Sequence, residues 1–367
     1  MAKHDIALAL SGGGSRAMAF HLGCMRALNT RGILDKVKVI SAVSGGAVIA
    51  GLYGYKDQSF DSFDKSLVEL LQNGLQWTSL RHLLSPKVLL PVVATNLIAR
   101  PLAAIARMRQ KEPRYRRWAS RTDALEESLK EVFGEVDLTQ VARERLEIVF
   151  NACELRTGTA FRFGNSISGG WRTGQIVNNR ISVAHAITCS AAYPLLLPSL
   201  DREYSFIKDG VTSRKRVVLT DGGVYDNLGI SCLEPGRSSA FSLHSFPAEY
   251  IICCSAGHGQ ISGEKIPFGF LGRTDASFGT IFRKVQDAAI QRLHLHKSSG
   301  KIKGFILPYL GQQDGSLPTK PSDLVGRHEV FGYPTNFAAM TGENIRKITQ
   351  RGEQLTRVLL EHYCPEL

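Results

Sequence analysis

Residues 36 to 54 read KVKVISAVSGGAVIAGLYG, and the fold turns on how this stretch is read. A run of β-branched residues stops at Ser44, which is set among Ala42, Val43, Gly45 and Gly46, and a helix of small residues follows. Only tiny neighbours fit a turn that tight. Ser44 is then either a nucleophile held at the tip of the turn or the cap of an ordinary strand-to-helix connection. Upstream, DIALAL (5–10) reads as a buried strand and SRAMAFHLGCMRALNTRG as a helix with apolar residues at helical spacing, ending near Gly32. The order is strand, helix, strand, helix, which opens a three-layer α/β/α domain with a mostly parallel central sheet.

From about 60 to 130 the pattern changes. An amphipathic segment leads into LLSPKVLLPVVATNLIARPLAAIARM, interrupted by Pro91, Asn96, Arg100 and Pro101. These interruptions disfavour a lone membrane-spanning helix. The expectation is a helical cap or insertion whose apolar face covers a site or lies on a membrane surface; the alternative is a helix buried against the core. The α/β pattern resumes with RLEIVFNACEL, TAFRFGN, VVLTDGGVYDNLG, AEYIICCSAG and KIKGFILPYL, and a last helix runs from about Gly342 to Tyr363. There is no internal repeat. Residues 1–367 therefore read as one domain, with 60–130 inserted and 300–367 a C-terminal strand–helix extension.

At 43% hydrophobic and 21% charged, the composition is that of a globular protein. The N-terminal residues carry no cleavage pattern of a signal peptide, and the expected location is the cytoplasm. The seven cysteines form no CxxC pair, which supports neither a disulfide framework nor a zinc site. No metal or cofactor is expected. The net charge is +12, and much of it is local. Arg100, Arg107, Arg109, Lys111, Arg114, Arg116, Arg117 and Arg121 face only Glu112 across residues 100–121. Such a field attracts anions, either lipid headgroups or nucleic acid.

Three further pieces carry chemistry. SGGGSRAM (11–18) places three glycines between a strand and a helix, exposing a row of N–H groups suited to a phosphate or an oxyanion. A dinucleotide fold would require an acidic residue at the end of the second strand, where Ser44 stands instead. A nucleophile elbow needs small residues two before and two after the serine, and Ala42 and Gly46 meet that need. One β-α-β unit separates loop and serine, so both emerge at the carboxyl edge of adjacent strands. The serine also needs a base. Asp221, at the end of an apolar strand and followed by Gly222 and Gly223, is the better candidate, although an Asp-Gly turn alone would also explain it. No histidine stands in an obvious catalytic context, and His185 reads as a core or surface residue.

The order GGGxR, serine elbow, DGG, together with CSAAYPLLLP (189–198) and VYDNLG after Asp221, resembles the patatin-like phospholipases. The resemblance covers most of the chain and is weakest over 60–130 and the last hundred residues. It implies a lipid acyl hydrolase with Ser44 as nucleophile and Asp221 as sole partner. Gly12, Gly13 and Gly14 would form an oxyanion hole, with Arg16 holding the loop. The substrate would be a phospholipid or other acyl lipid, met at an anionic membrane surface through 88–121, with no nucleic acid partner. Two positions depart from the family's pattern: Ala42 opens the elbow and Ala17 ends the glycine loop, where glycine is usual. Two alternatives stay open. One is a Ser-Asp-His α/β-hydrolase using His258 or His328, against which only one strand precedes the elbow; the other is an inactive membrane- or nucleotide-binding module.

Overall fold

The computed structural model describes residues 5–109, 117–194, 196–238, 240–259, 263 and 266–367. Of the basic block, Lys111, Arg114 and Arg116 therefore lie outside the described residues. Ten strands form one sheet: β1 Ile6–Leu10, β2 Val37–Ala42, β3 Glu147–Glu154, β4 Thr159–Gly164, β5 Ser168–Gly170, β6 Gly174–Ile176, β7 Leu200–Lys208, β8 Val211–Asp221, β9 Tyr250–Cys254 and β10 Gly304–Ile306. Their spatial order is β10-β9-β1-β2-β3-β4-β5-β6-β7-β8. From β10 to β3 every pairing is parallel, and from β3 to β8 every pairing is antiparallel.

β1 is buried along its whole length, as a parallel strand covered on both faces must be. Ile6, Leu8 and Leu10 point into one core and Ala7 and Ala9 into the other. β9 alternates the same way, so the adjacent Cys253 and Cys254 face opposite layers. The larger core is shared with α1 Gly14–Thr30, α2 Gly45–Tyr55, α3 Phe60–Asn73 and, at the end of the chain, Gly342–Tyr363. The smaller core takes Ala289 and Leu293 from the long helix Gly269–Ser298. This alternation makes the three layers.

β3 is where the two halves of the sheet join. Its residues 147–150 take β2 as a parallel neighbour, while 152–154 take β8 as an antiparallel one. β4 occupies the other edge of β3 throughout 149–154. β2 and β8 therefore share one edge and run toward each other along it. Ala42 pairs with Phe150 and Asp221 with Ala152, so the carboxyl ends of β2 and β8 meet across Asn151.

Between α3 and β3 lie four more helices: α4 Gln76–Leu84, α5 Pro86–Ala94, α6 Arg100–Met108 and α7 Arg121–Phe133. A π-helical turn, Thr95–Ala99, joins α5 to α6. By length and composition the stretch Pro86–Ala106 could cross a membrane, but only 17% of its most apolar window is buried. Leu90, Leu97 and Met108 are exposed by 66%, 72% and 85%. The alternative of a helix buried against the core is thereby excluded.

The residues after 300 add β10 to the parallel edge and the helix Gly342–Tyr363 to the layer beside α1. These two helices touch backbone to backbone: a Cβ on Gly23 would stand 1.8 Å from the Thr349 carbonyl oxygen, and one on Gly352 would stand 2.3 Å from that of Phe20. Gly23→Ala should therefore destabilise the protein by about 1–3 kcal/mol or more. Gly272→Ala, on a helix with nothing within 4 Å of the new methyl, should be neutral or stabilising. Urea midpoints of the two variants check this.

Candidate active site

β2 ends in the strained turn that the sequence suggests. Ser44 has φ 51° and ψ −116°, a conformation that costs a non-glycine residue about 1–3 kcal/mol. Hydrogen bonds on either side hold it. The Val43 N–H donates to the Leu10 carbonyl at 3.0 Å, and the Ser44 N–H donates to the Ser190 hydroxyl at 3.0 Å. The neighbours are small because backbone presses on them. A Cβ on Gly45 would lie 2.3 Å from the Gly14 carbonyl oxygen, and one on Gly46 would lie 2.3 Å from that of Leu10. Ala42 is fully buried in the core.

The glycine loop stands directly against the elbow: a Cβ on Gly12 would approach the Ser44 Cβ to 3.3 Å. Gly13 and Gly14 take φ values of 147° and 60°, which turn the chain from β1 into α1. The three amides are not equivalent. The Gly12 N–H donates to the Asn227 carbonyl at 3.3 Å, whereas among the described residues Gly13 and Gly14 N–H have no hydrogen-bond partner. Gly12 is thus needed for close approach, and the free donors are its two successors. Arg16 also lines the cleft, and its guanidinium donates to the Tyr333 carbonyl at 2.8 Å and bonds the His258 ring. Burial lowers its pKa to about 10.

Asp221 arrives from the opposite strand. It is 4% exposed, and its Oδ1 accepts the Gly223 N–H at 2.6 Å. The Ser44 side chain lies near it in the same cleft and favours its ionised form. Burial pushes its pKa up to about 7, and the Gly223 N–H and the nearby Ser44 side chain restrain the rise. Gly222 and Gly223 are glycines for want of space. A Cβ on Gly222 would strike the Asn151 carbonyl oxygen at 2.2 Å, and one on Gly223 would come 2.9 Å from Asp221 Oδ1.

Ser44, Asp221 and the glycine loop line one cleft of about 450 Å³. Leu75, Leu80 and Leu83 from α4 and its approach, with Leu125, Leu196 and Leu197, give it an apolar wall. No histidine lines it among the described residues. His258, which a triad would require, is held beside Arg16; burial first, then Arg16 and Arg327, lowers its pKa to about 4. His328 is exposed at the surface. His185 is a buried core residue bonded to Glu126 at 3.0 Å and to the Tyr204 hydroxyl at 2.6 Å.

Several site residues escaped the sequence reading. Ser190 and Asn227 sit inside segments already noted, in the small-residue run before the prolines and just after the DGG turn, so their neighbourhood was a usable signal. Asn151 had none. It donates to Ser41 Oγ and the Ala42 carbonyl, and accepts from Arg162. Nor had the segment 333–338, which clasps the start of α1. The Asn336 carbonyl accepts the Ser15 N–H at 2.7 Å and the Ala338 carbonyl accepts the Ser15 hydroxyl at 2.9 Å.

A glycine loop and a strained serine thus stand at the carboxyl edge of adjacent parallel strands, with a buried carboxylate in the same cleft. Residues 8–232 match the family described as Patatin-like phospholipase, and the chain belongs to that family. No curated protein matches the chain. Among solved structures, human GIVD cytosolic phospholipase A2 is similar at 14% identity with a TM-score of 0.53, over 98% of this chain and 60% of that one. The same human protein in complex with methyl γ-linolenyl fluorophosphonate gives 14% and 0.51, over 97% and 57%. VipD from Legionella pneumophila gives 12% and 0.44, over 98% and 67%. At these identities the human structures establish the likeness of fold. This chain spans about three fifths of the human protein's length.

Because the folded Asp221 holds its proton up to about pH 7 while an unfolded aspartate releases it near 3.8, stability should fall as pH rises between those values. The displacement corresponds to roughly 4 kcal/mol as an upper bound. Asp221→Asn should therefore raise the thermal midpoint at pH 8 and leave it little changed at pH 4. Calorimetry at the two pH values checks this.

Proposed function

We propose that the protein is a lipid acyl hydrolase working through a Ser44–Asp221 dyad, an activity that family membership supports in its broad form. The observation that carries the proposal is the pairing of a strained, buried serine with a carboxyl whose pKa lies near 7. Such a carboxylate is basic enough to take a proton at neutral pH. Ser44 Oγ attacks the ester carbonyl carbon while Asp221 accepts its proton and passes it to the departing alcohol. Water, deprotonated by Asp221, then attacks the acyl-enzyme and releases the fatty acid. The oxyanion formed in each step lies at the Gly13 and Gly14 amides, next to the N-terminus of α1. The leucine wall suits an acyl chain, each buried methylene of which contributes about 0.8 kcal/mol.

The cleft also suggests how lipid arrives. Leu80 both lines the cleft and is 43% exposed, and beyond it the exposed apolar residues of α5 and α6 continue to Met108. Arg100, Arg109 and Arg121 are exposed around this surface. Peripheral docking on the anionic inner face of a membrane, by a cytoplasmic protein, fits that pairing of apolar face and cations.

A fluorophosphonate probe should label wild type and not Ser44→Ala. Ser44→Ala and Asp221→Asn should each lower ester hydrolysis by about 10³-fold or more, with folding intact. Total loss of activity in His258→Gln, with folding intact, would establish a triad instead. The rate of wild type should rise as pH passes through about 7, since the dyad needs the Asp221 carboxylate.

Gly13→Ala would place a methyl 3.1 Å from the Ala17 Cβ at a φ of 147°. Displacing an oxyanion donor in this way should cost about 10²–10³-fold in turnover. Full activity in this variant would place the oxyanion elsewhere.

The protein should sediment with phosphatidylglycerol vesicles, less so with phosphatidylcholine, and salt should weaken the binding. Leu90→Ser/Leu97→Ser should reduce activity on vesicles while sparing a soluble short-chain ester. Equal binding to neutral and anionic vesicles would remove the electrostatic part of the docking.

A further inference from the structure

Next to the glycine loop, α1 carries His21 and Cys24 three residues apart, on one face of the helix, and β9 ends at Cys254. All three side chains are fully buried. A ring nitrogen of His21 and the two sulfurs lie within 4.8 Å of one another. The His21 Nε2 bonds the Ser11 carbonyl at 2.9 Å. A carbonyl only accepts, so Nε2 carries a proton, and in the neutral ring Nδ1 keeps its lone pair. That Nδ1 is buried without a hydrogen-bond partner.

We propose that His21, Cys24 and Cys254 form a buried site for one thiophilic divalent cation of the zinc(II) type. One imidazole nitrogen and two thiolates are a ligand set typical of zinc. A histidine that ligates metal through one nitrogen commonly donates its other N–H to a backbone carbonyl, which is what His21 does with Ser11. Two thiolates and a divalent ion sum to zero charge, so the loaded site leaves no net charge in the core. Zinc bonds of about 2.0–2.3 Å bring ligand atoms to within about 4 Å of each other, so shifts of an ångström or less would assemble the site. The Gly352 carbonyl oxygen, 3.7 Å from the Cys24 sulfur, is an additional donor in reach. The site escapes a search for paired cysteines because its third ligand lies on a strand far along the chain.

A metal here would act through Ser11. That residue's carbonyl accepts the His21 N–H, its own N–H donates to the Cys254 carbonyl at 3.1 Å, and Gly12 follows it directly. One ion would thus tie α1, β9 and the root of the glycine loop together as a structural clamp, while touching no reacting atom.

The test is to refold the full chain under reducing conditions with cobalt(II), and separately with zinc(II). About one ion should bind per chain, cobalt with thiolate-to-metal charge-transfer absorption, and zinc should raise the thermal midpoint. Cys24→Ser and Cys254→Ser should lose the ion and the spectral signature, and Cys364→Ser, Cys364 being a free buried cysteine outside the cluster, should keep both. Ser44→Ala should also bind metal normally, which separates this inference from the hydrolase reading. Failure of wild type to take up either ion, or cobalt bound without thiolate absorption, would overturn the proposal. So would retention of metal in both cysteine variants. The wild-type cobalt spectrum decides the matter even if a variant misfolds.

Discussion

Two strands that approach each other along the same edge of β3 set the geometry on which everything else rests. Parallel pairing brings β2 up to Phe150, antiparallel pairing brings β8 down to Ala152, and Asn151 occupies the seam. Its amide donates to the end of β2, and its carbonyl stands where any side chain at position 222 would be. Serine and carboxylate therefore face each other because two ladders terminate at the same point. Sheet hydrogen bonding, the most rigid positioning available to a backbone, fixes the two strand ends, and only the two-residue step from Ala42 to Ser44 lies between the ladder and the serine. It also explains why the sheet changes character at β3: a purely parallel sheet would have brought no strand end to meet β2.

Around that seam the structure accepts unfavourable local states. Ser44 takes a backbone conformation that other residues avoid, and Asp221 is held where its ionised form is poorly solvated. Both persist because the surroundings determine them from several sides: Ser190 on the amide of Ser44, Gly223 on the carboxyl, and glycine backbones at 12, 45 and 46 that leave no room to relax. An aspartate in water would have a pKa near 3.8 and make a weak base. Removing the water makes it a better one, and the fold is less stable for it at neutral pH.

The local features were legible in the sequence because local chemistry imposes them. A turn at Ser44 tolerates only small neighbours, the first strand, buried on both faces, carries no polar residue, and a glycine row before a helix has a restricted set of uses. The three layers and the order of the first elements follow from those patterns. What was hidden is whatever depends on register across long stretches of chain. Nothing adjacent to Asn151 marks it as the seam, since its role comes from pairing two distant strands. The assignment of three equivalent donors to Gly12, Gly13 and Gly14 could not anticipate that Asn227 takes up the first. The apolar run from 88 onward was equally compatible with burial and with exposure, and only the tertiary packing decided for exposure.

The clasp on the first turn of α1 has a consequence for biosynthesis. Ser15 is anchored to Asn336 and Ala338, and Arg16 to Tyr333, so the loop made at the beginning of the chain is completed by residues made more than three hundred positions later. While the chain is still on the ribosome, elbow and glycine loop can emerge and β1 and β2 can pair, yet the N-terminus of α1 lacks its lid of carbonyls. The loop therefore lacks its clasp until the chain has been extended by more than three hundred residues, and the same contact that shapes the loop also times its completion.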